Sequence, residues 1–476
     1  MAKSDSVSFH FQGEIPVPRG REYTCGYIQM PFDLPEGVAE IRLRLRYAPE
    51  RVAGVSNLIT LGLFDPQGFR GNAHRSPPDE QIRVAADGAS PGFIPGPLPL
   101  GTWLAQLAVH SVLADVHACA YSLDIELISG PAGQPAPSSW QRMRSTLRDG
   151  PGWYKSELHS HTIHSDGDWT ASALIAAAQK RGLDFLFITD HNTHSVYQEL
   201  SGTNPDGLLL IPGIELTTFD GHALVLGIKE WIDWRCGYEG WEMDDAARKI
   251  QEQEGLFIIT HPHALGSPFC TGCRWDYADF DIASADGLEV WNGMWGSEGD
   301  KNPEGLRMWH ELQKSGVSIT ATAGTDIHSA HDWDEGAGAP VVYVHARSLS
   351  AQGVLEGIRA GRVILSSGPW IDLHADPLPD SSAVPCGVGE TCVGSGHSFT
   401  LKADWSSVPR DAQLVIRNSQ DVVEVVEVSE SGSVSRVVTV EREERFWLEL
   451  YSVDGALLAL ANPLTVQVGR SAKTAE

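Results

Sequence analysis

The chain is 476 residues long, room for about three domains at ~150 residues each and for a large buried core. Its 35 Lys+Arg against 62 Asp+Glu give a net charge of −27, which argues against nucleic acid as a partner, because phosphate-backbone binders need basic surface. A hydrophobic content of 42% with 20% charged residues excludes a disordered chain, and no apolar run approaches the ~20 residues of a membrane span.

The first residues, Met1–Ile15, contain no apolar segment of the secretory type. Seven cysteines scattered from Cys25 to Cys392 fit a reducing compartment better than a disulfide framework, so a cytoplasmic location is expected. Ile41–Tyr47 alternates apolar and polar side chains, and Leu58–Phe64 and Tyr121–Leu127 read similarly. With the Pro/Gly-rich loop Pro91–Pro99 between them, residues 1–135 are expected to form an antiparallel β-sandwich of jelly-roll type. Gly130–Ser139, rich in Gly, Pro, Ser and Ala, reads as linker by composition, and residues 136–152 are taken as the linker between domains.

From residue 153 the pattern becomes strand, helix, strand, helix. Four expected helices, Thr170–Arg181, Met243–Glu254, Pro303–Ser315 and Ser350–Ala360, each run into a glycine (182, 255, 316, 361) and then an apolar strand. Repeated units of this kind build a parallel sheet or barrel over 153–368. After Pro369 the period returns to two at Ser398–Asp404, Gln413–Arg417, Ser433–Val440 and Arg445–Leu450, giving a second expected β-sandwich over 369–470 and a tail at 471–476.

Charge is not spread evenly: residues 151–368 carry a net −17 and 12 of the 18 histidines. Carboxylates and imidazoles concentrated together suit a polynuclear cation site, though an acidic solvated face has the same composition. Position separates the two readings. His159 and His161 point to one face of an extended segment, Asp326 and His328 repeat that spacing, and Asp190-His191, Glu215 and His261 each close or follow a predicted strand. Such groups converge at the C-terminal rim of αβ barrels.

These residues are recognisable as a set. Glu157-Leu-His-Ser-His-Thr-Ile-His-Ser-Asp-Gly167, Phe187-Ile-Thr-Asp-His-Asn192, Pro212-Gly-Ile-Glu-Leu-Thr217, Ile258-Ile-Thr-His-Pro262 and Gly324-Thr-Asp-Ile-His328 occur in the order of the PHP (polymerase and histidinol phosphatase) motifs, and the segment 153–368 resembles that superfamily. Asn57–Pro66 and Ala461-Asn-Pro-Leu464 in the flanks are similar to its carbaryl-hydrolase-like branch. The resemblance implies a distorted seven-stranded (β/α) barrel with two or three divalent ions (Zn, Mn or Fe). By motif, His159, His161, Glu215 and Asp326 hold the first ion. Glu215 bridges to a second, held also by His261 and a strand histidine, and Asp166, His191 and His328 hold a third. Many members place the strand histidine three residues before a glycine, where this chain has Leu224 before Gly227; His222, on the same strand face, is taken as its substitute.

Other candidates read both ways. Pro262 can direct His263 into the pocket as a catalytic group, or leave it solvated. Arg274 is either an anion clamp or half of a surface ion pair. Trp291, with Trp295 and Trp333, stands near strand ends and can line an apolar pocket or fill the core. His164, His194 and His331 are expected on the rim or in solvent, and Cys270-Thr-Gly-Cys273 without a second pair reads as two loop cysteines. The expectation is an enzyme: a hydrolase of small-molecule esters through a metal-bridging hydroxide. Phosphoesters come first and carbamate or carboxyl esters second. The competing class, a polymer- or carbohydrate-binding protein with an inert barrel, should have lost ligands that this chain retains. Neither a nucleic acid nor a membrane is an expected partner.

Overall fold

Alternation at Ile41–Tyr47 becomes a two-faced strand. In the computed structural model, which describes residues 7–17, 24–75, 77–113, 118–131, 133–135, 143–296, 301–335, 339–378 and 385–469, Ile41, Leu43, Leu45 and Tyr47 are buried. Arg42, Arg44 and Arg46 between them face solvent and pair with Glu40, Asp79 and Asp124. The Val38–Ala48 strand belongs to a four-stranded antiparallel sheet ordered Val7–Ile15, Cys119–Ser129, Val38–Ala48, Asp79–Ala85. A second four-stranded sheet runs Thr24–Leu34, Gly101–Val112, Leu58–Asp65, Gly68–Ala73. Both contribute to one apolar core that includes Leu43, Ile125, Leu61, Trp103 and Leu107.

The rest of the described chain is a mixed α/β arrangement on one fifteen-stranded sheet. Thr146–Glu157, Phe185–Ile188 and Leu209–Thr217 are parallel neighbours. His222–Leu226 then pairs antiparallel with both Leu209–Thr217 and Leu256–Ile259, and Leu256–Ile259, Gly287–Asn292 and Thr320–Gly324 are again parallel. Six strands therefore end at one edge, while His222–Leu226 begins there. Beyond the first and last of these strands the chain meets itself: Ser160 bridges Ile327, with His161 N donating to Ile327 O (2.9 Å) and Asp326 N to His159 O (3.0 Å).

Helices are few among the described residues. Ala171–Lys180, Met243–Glu252, Asn302–Ser315 and Ala351–Arg359 lie where the sequence places them. The expected glycine turns hold at Gly182, Gly316 and Gly361, which have positive φ; after Met243–Glu252 it is Glu254, not Gly255, that takes the left-handed conformation. No helix separates Leu209–Thr217 from His222–Leu226, which form a hairpin, so strand and helix do not alternate as a regular (β/α) barrel requires.

The flanks also depart from expectation. Thr146–Glu157 is one strand, so residues 146–152 are extended sheet; residues 136–142 of the expected linker, and the 471–476 tail, lie outside the described residues. The C-terminal strands do not start an independent sheet: Leu457–Val468 pairs with the Val363–Ser366 edge, Ile364 opposite Ala461. Ser398–Asn418 is one long strand rather than two, because register shifts around Trp405–Ala412, with Ser407 and Asp411 at positive φ, absorb the polar stretch as a bulge. Asn462, fully buried, binds both backbone groups of Ala321 (2.7 and 2.9 Å) and the carbonyl of Val363 (3.1 Å). Phe69 of the N-terminal sheets stacks on Trp231 (centroids 4.9 Å apart), with Phe64 and Trp234 alongside. Of these, Phe64 and Trp234 are buried, each contributing about 2 kcal/mol from area alone, while Phe69 and Trp231 are partly buried.

Candidate metal centre

The strand ends gather eight imidazole and carboxylate side chains around Glu215. Its Oε2 lies 3.2 Å from His159 Nε2, 3.3 Å from His161 Nε2 and 3.1 Å from His191 Nδ1. Its Oε1 lies 3.1 Å from His222 Nδ1 and 3.1 Å from His261 Nε2. One carboxylate thus faces two sets of nitrogens. Asp326 Oδ1 closes the first set, 3.3 Å from His159 Nε2 and 3.1 Å from His161 Nε2. Asp166 Oδ1 stands 3.5 Å from His191 Nε2 and 3.3 Å from His328 Nε2. Three groupings have mutually close donor atoms: His159/His161/Glu215/Asp326, His161/Asp166/His191/His328 and His191/Glu215/His222.

Strand direction explains His222. Because its strand runs antiparallel, its first residue lies at the rim, opposite Thr217, whereas Leu224 lies opposite Glu215 and is fully buried core. His261 and Asp326 reach inward from backbone at positive φ (28° and 53°), a conformation uncommon outside glycine and enriched where side chains are aimed for function.

The electrostatics are those of a cation cradle. Burial alone would raise the carboxyls of Glu215, Asp326 and Asp166, yet the surrounding histidines hold each well below the ordinary range. Burial would likewise lower His159, but Asp326, Glu215 and Glu289 hold it up. Burial pushes His222 down despite Glu215, and pushes His161 down with the added repulsion of His328 and His191. His159 Nε2, both His161 nitrogens and Glu215 Oε2 are buried without a hydrogen-bond partner. Buried polar atoms left this way are costly. Imidazole and carboxylate donors without thiolate suit zinc, manganese or iron, so the residues fit divalent cations.

Supporting groups complete the arrangement, and sequence reasoning had assigned them no role. Glu289, 1% exposed, binds His159 Nδ1 (3.0 Å), accepts from His261 N (3.0 Å) and from Asn292 Nδ2 (3.0 Å). Glu157 accepts from the backbone of His159 and Thr325 (3.0 and 2.9 Å), and burial pushes its carboxyl up to about 7. Thr217 Oγ1 meets His191 Nδ1 at 2.5 Å. The Cys270–Cys273 loop, whose cysteines are joined as a disulfide rather than free, turns the carbonyl of Thr271 to His222 Nε2 (3.2 Å) and that of Cys273 to His261 Nδ1 (2.9 Å). Such bonds fix which ring nitrogen is left for a metal. Only the acidic type of Glu289, two residues before Trp291, could have pointed to it.

The remaining candidates lie elsewhere. His263 lines a neighbouring cleft of about 310 Å3 with His261, Glu289 and Asn292. Arg274 is exposed and ion-paired with Asp276 (2.8 and 3.1 Å), its side chain outside the cavity over the donors. Trp291 is fully buried core with its indole N–H on Gly293 O (3.0 Å), and Trp333 is buried against Trp169, so neither forms a pocket wall. His164 is not a rim residue: it is 4% exposed, bound to Ser195 Oγ (2.8 Å) and Glu199 (3.0 Å). His194 is half-buried and His331 exposed. The cavity over the donors, about 260 Å3, is lined also by Leu58, His74, Ser111, Pro268 and Phe269.

Fold and site together define an α/β protein with a buried His/Asp/Glu donor cluster at one sheet edge. No protein-family model matches the chain. The uncharacterized protein MJ1587 of Methanocaldococcus jannaschii is 30% identical over 150 residues, 29% of this chain and 81% of that protein, and the chain belongs to the same family. Among solved structures, a two-domain protein from Bacteroides vulgatus, described as containing a predicted PHP-like metal-dependent phosphoesterase, is 16% identical over 70% of this chain and 99% of its own, with a TM-score of 0.37. An amidohydrolase from Chromobacterium violaceum with bound sulfate is 16% identical over 38% of this chain and 89% of its own, with a TM-score of 0.28.

Proposed function

We propose that the protein is a metal-dependent hydrolase of the PHP type acting on small esters, phosphoesters first. The observation that carries this reading is Glu215, one buried carboxylate set between two groups of imidazoles. The motif order in the sequence supports it, and so does the second acidic grouping at Asp166. On this reading His159, His161, Glu215 and Asp326 hold one divalent ion, Glu215, His222 and His261 a second, and Asp166, His191 and His328 a third. When bound, the ions supply water activation and charge neutralisation at the attacked centre. The chain's own part is to fix the donors through Glu289 and Thr217, to exclude bulk water, and to restrict entry to a cavity of about 260 Å3. The same reading takes the central strands as the family's distorted barrel, with β-sandwich domains at 1–135 and 369–470.

A second reading, a carbamate or carboxyl ester hydrolase of the carbaryl-hydrolase-like branch, is favoured by one observation. Leu58, Pro268 and Phe269 line the cavity, and the expected cationic clamp Arg274 does not. The test is kcat/KM for an aryl phosphodiester beside an aryl N-methylcarbamate, on one metal-loaded preparation. Preference for the phosphodiester supports the first reading. A preference above about tenfold for the carbamate, some 1.4 kcal/mol, replaces it with the second. No turnover of either by protein with full metal content returns the chain to the non-catalytic class.

A further inference from the structure

The cavity over the donors has one wall that the central sheet does not supply. His74 follows the Gly68–Ala73 strand of the N-terminal sheets and reaches across to the site. It is 6% exposed, and its ring centroid lies 4.4 Å from that of His191. It belongs to none of the three donor groupings, so it is not placed as a ligand.

Its position is fixed from both sides. His110, whose Nε2 meets Thr60 Oγ1 at 3.2 Å, stands edge-on behind it with centroids 4.7 Å apart. The next residue, Arg75, binds Glu80 (3.0 Å) and Pro91 O (2.8 Å) on its own side and Ile163 O (2.9 Å) on the other. Thr193 Oγ1 adds a bond to Gly92 O (2.8 Å). Yet the imidazole so held makes no hydrogen bond among the described residues, and its Nδ1 is buried without a partner. The buried Nδ1 is closed to solvent, whereas Nε2, also unbonded among the described residues, is the ring nitrogen that a ligand entering the cavity can meet. No protein group fixes the tautomer, so the ring can present an N–H to an incoming oxygen.

We propose that His74 is a substrate-contacting residue supplied by the N-terminal sheets, donating an imidazole N–H to an anionic oxygen of the bound ester. Pro268 and Phe269, which line the same cavity, offer an apolar surface to the organic part of the same molecule. The proposal rests on the hydrolase reading above, and the N-terminal sheets then complete the binding site rather than only covering it.

The test uses the metal-loaded full-length protein with His74→Ala and His74→Gln, inorganic phosphate as probe, and metal content by elemental analysis. Expected for His74→Ala are unchanged metal content, a phosphate Kd raised about tenfold and a higher KM for the phosphodiester with a smaller change in kcat, with partial recovery in His74→Gln, whose amide keeps a donor. A phosphate Kd within twofold of wild type in both variants overturns the proposal, as does metal loss in step with lost binding, which would make His74 a support for His191. If His74→Ala fails to fold, the same two criteria are applied to His74→Gln. If the wild type ignores phosphate but cleaves the carbamate, the phosphoester reading falls alone. The variants are then judged by KM for the carbamate, a tenfold rise supporting the contact and no rise overturning it.

Discussion

Glu289 joins His159 to His261: one carboxylate oxygen lies 3.0 Å from the His159 ring, and the other accepts the His261 backbone N–H at 3.0 Å. These histidines belong to different donor sets, so a residue that holds no ion spaces the two. Glu289→Gln keeps the shape and the Asn292 contact but removes the charge that sets the His159 tautomer. Metal affinity should fall by about 10–100-fold while the fold persists. Competition against a chelator of known affinity measures this, and an unchanged affinity would show that Glu289 is only filling space.

Metal uptake should release protons. Burial opposes the charged form of His261, but the Glu215 carboxylate holds it up at about 9; His328 is likewise held at about 10 by Asp166 and Asp326. Both rings are therefore protonated near neutral pH in the metal-free protein, and a cation binds only the neutral ring. The sign follows: apparent affinity climbs as pH rises toward 9–10 and flattens above. Calorimetric titration in two buffers of different ionisation enthalpy should show net proton release near neutrality, with His261 and His328 contributing and His159, also held up by its carboxylates, adding to it. Asp326→Ala, which removes a carboxylate from the first donor set and from beside His328, should lower both the proton count and the metal stoichiometry. Equal heats in the two buffers would contradict this account.

Much of the site was legible because its residues lie at strand ends, and strand ends are marked by local signals: apolar runs, helix-ending glycines, Pro262. Alternation placed Ile41–Tyr47 and put His222 on the strand face of Leu224 as the substitute ligand, although the reason it stands at the rim, an antiparallel strand that starts there, needed the sheet order. Three kinds of information were not local. The Glu289 contacts come from a neighbouring strand, the carbonyls of Thr271 and Cys273 from a loop fold, and His74 from a separate pair of sheets 117 residues before His191 in the chain. Position near a strand end also left Trp291 open between pocket and core, since a tryptophan there serves either, and the fold buries it.

Asn462 ties the C-terminal strands to the edge of the central sheet by satisfying both backbone groups of Ala321. Asn462→Ala would remove the side-chain partner of one N–H and two C=O groups, at about 1–3 kcal/mol for each group left buried unpaired. Asn462→Asp should cost more, since the new carboxylate faces the Ala321 and Val363 carbonyls where an amide N–H donated. Chemical denaturation of the metal-free protein separates these from metal effects. A loss below about 0.5 kcal/mol in both variants would mean that the strand edge rearranges freely.

Glu449 is the acid-sensitive joint of the fold. Its carboxylate has no exposed surface and collects His310 Nε2 (2.5 Å), Arg417 Nε (2.7 Å), Trp447 Nε1 (2.8 Å) and Tyr451 OH (2.8 Å), linking the Asn302–Ser315 helix to the C-terminal strands. Burial alone would raise its pKa, but the His310 hydrogen bond and the His310 and Arg417 charges hold it below the model-compound value of 4.5. The folded state thus binds this proton less readily than the unfolded chain. The stabilisation is fully present above pH 4.5 and is lost as pH falls from there through the folded-state pKa. Glu449→Gln leaves Arg417 and His310 facing a neutral amide and should cost about 3 kcal/mol at pH 7, in the range for breaking a buried charged pair. The cost should shrink below pH 4, where the wild type has begun to lose the same interaction. Urea denaturation of both proteins between pH 3 and 8 decides it: curves that stay parallel across the acid limb would mean that Glu449 keeps one charge state throughout, and that the acid sensitivity of the fold lies elsewhere.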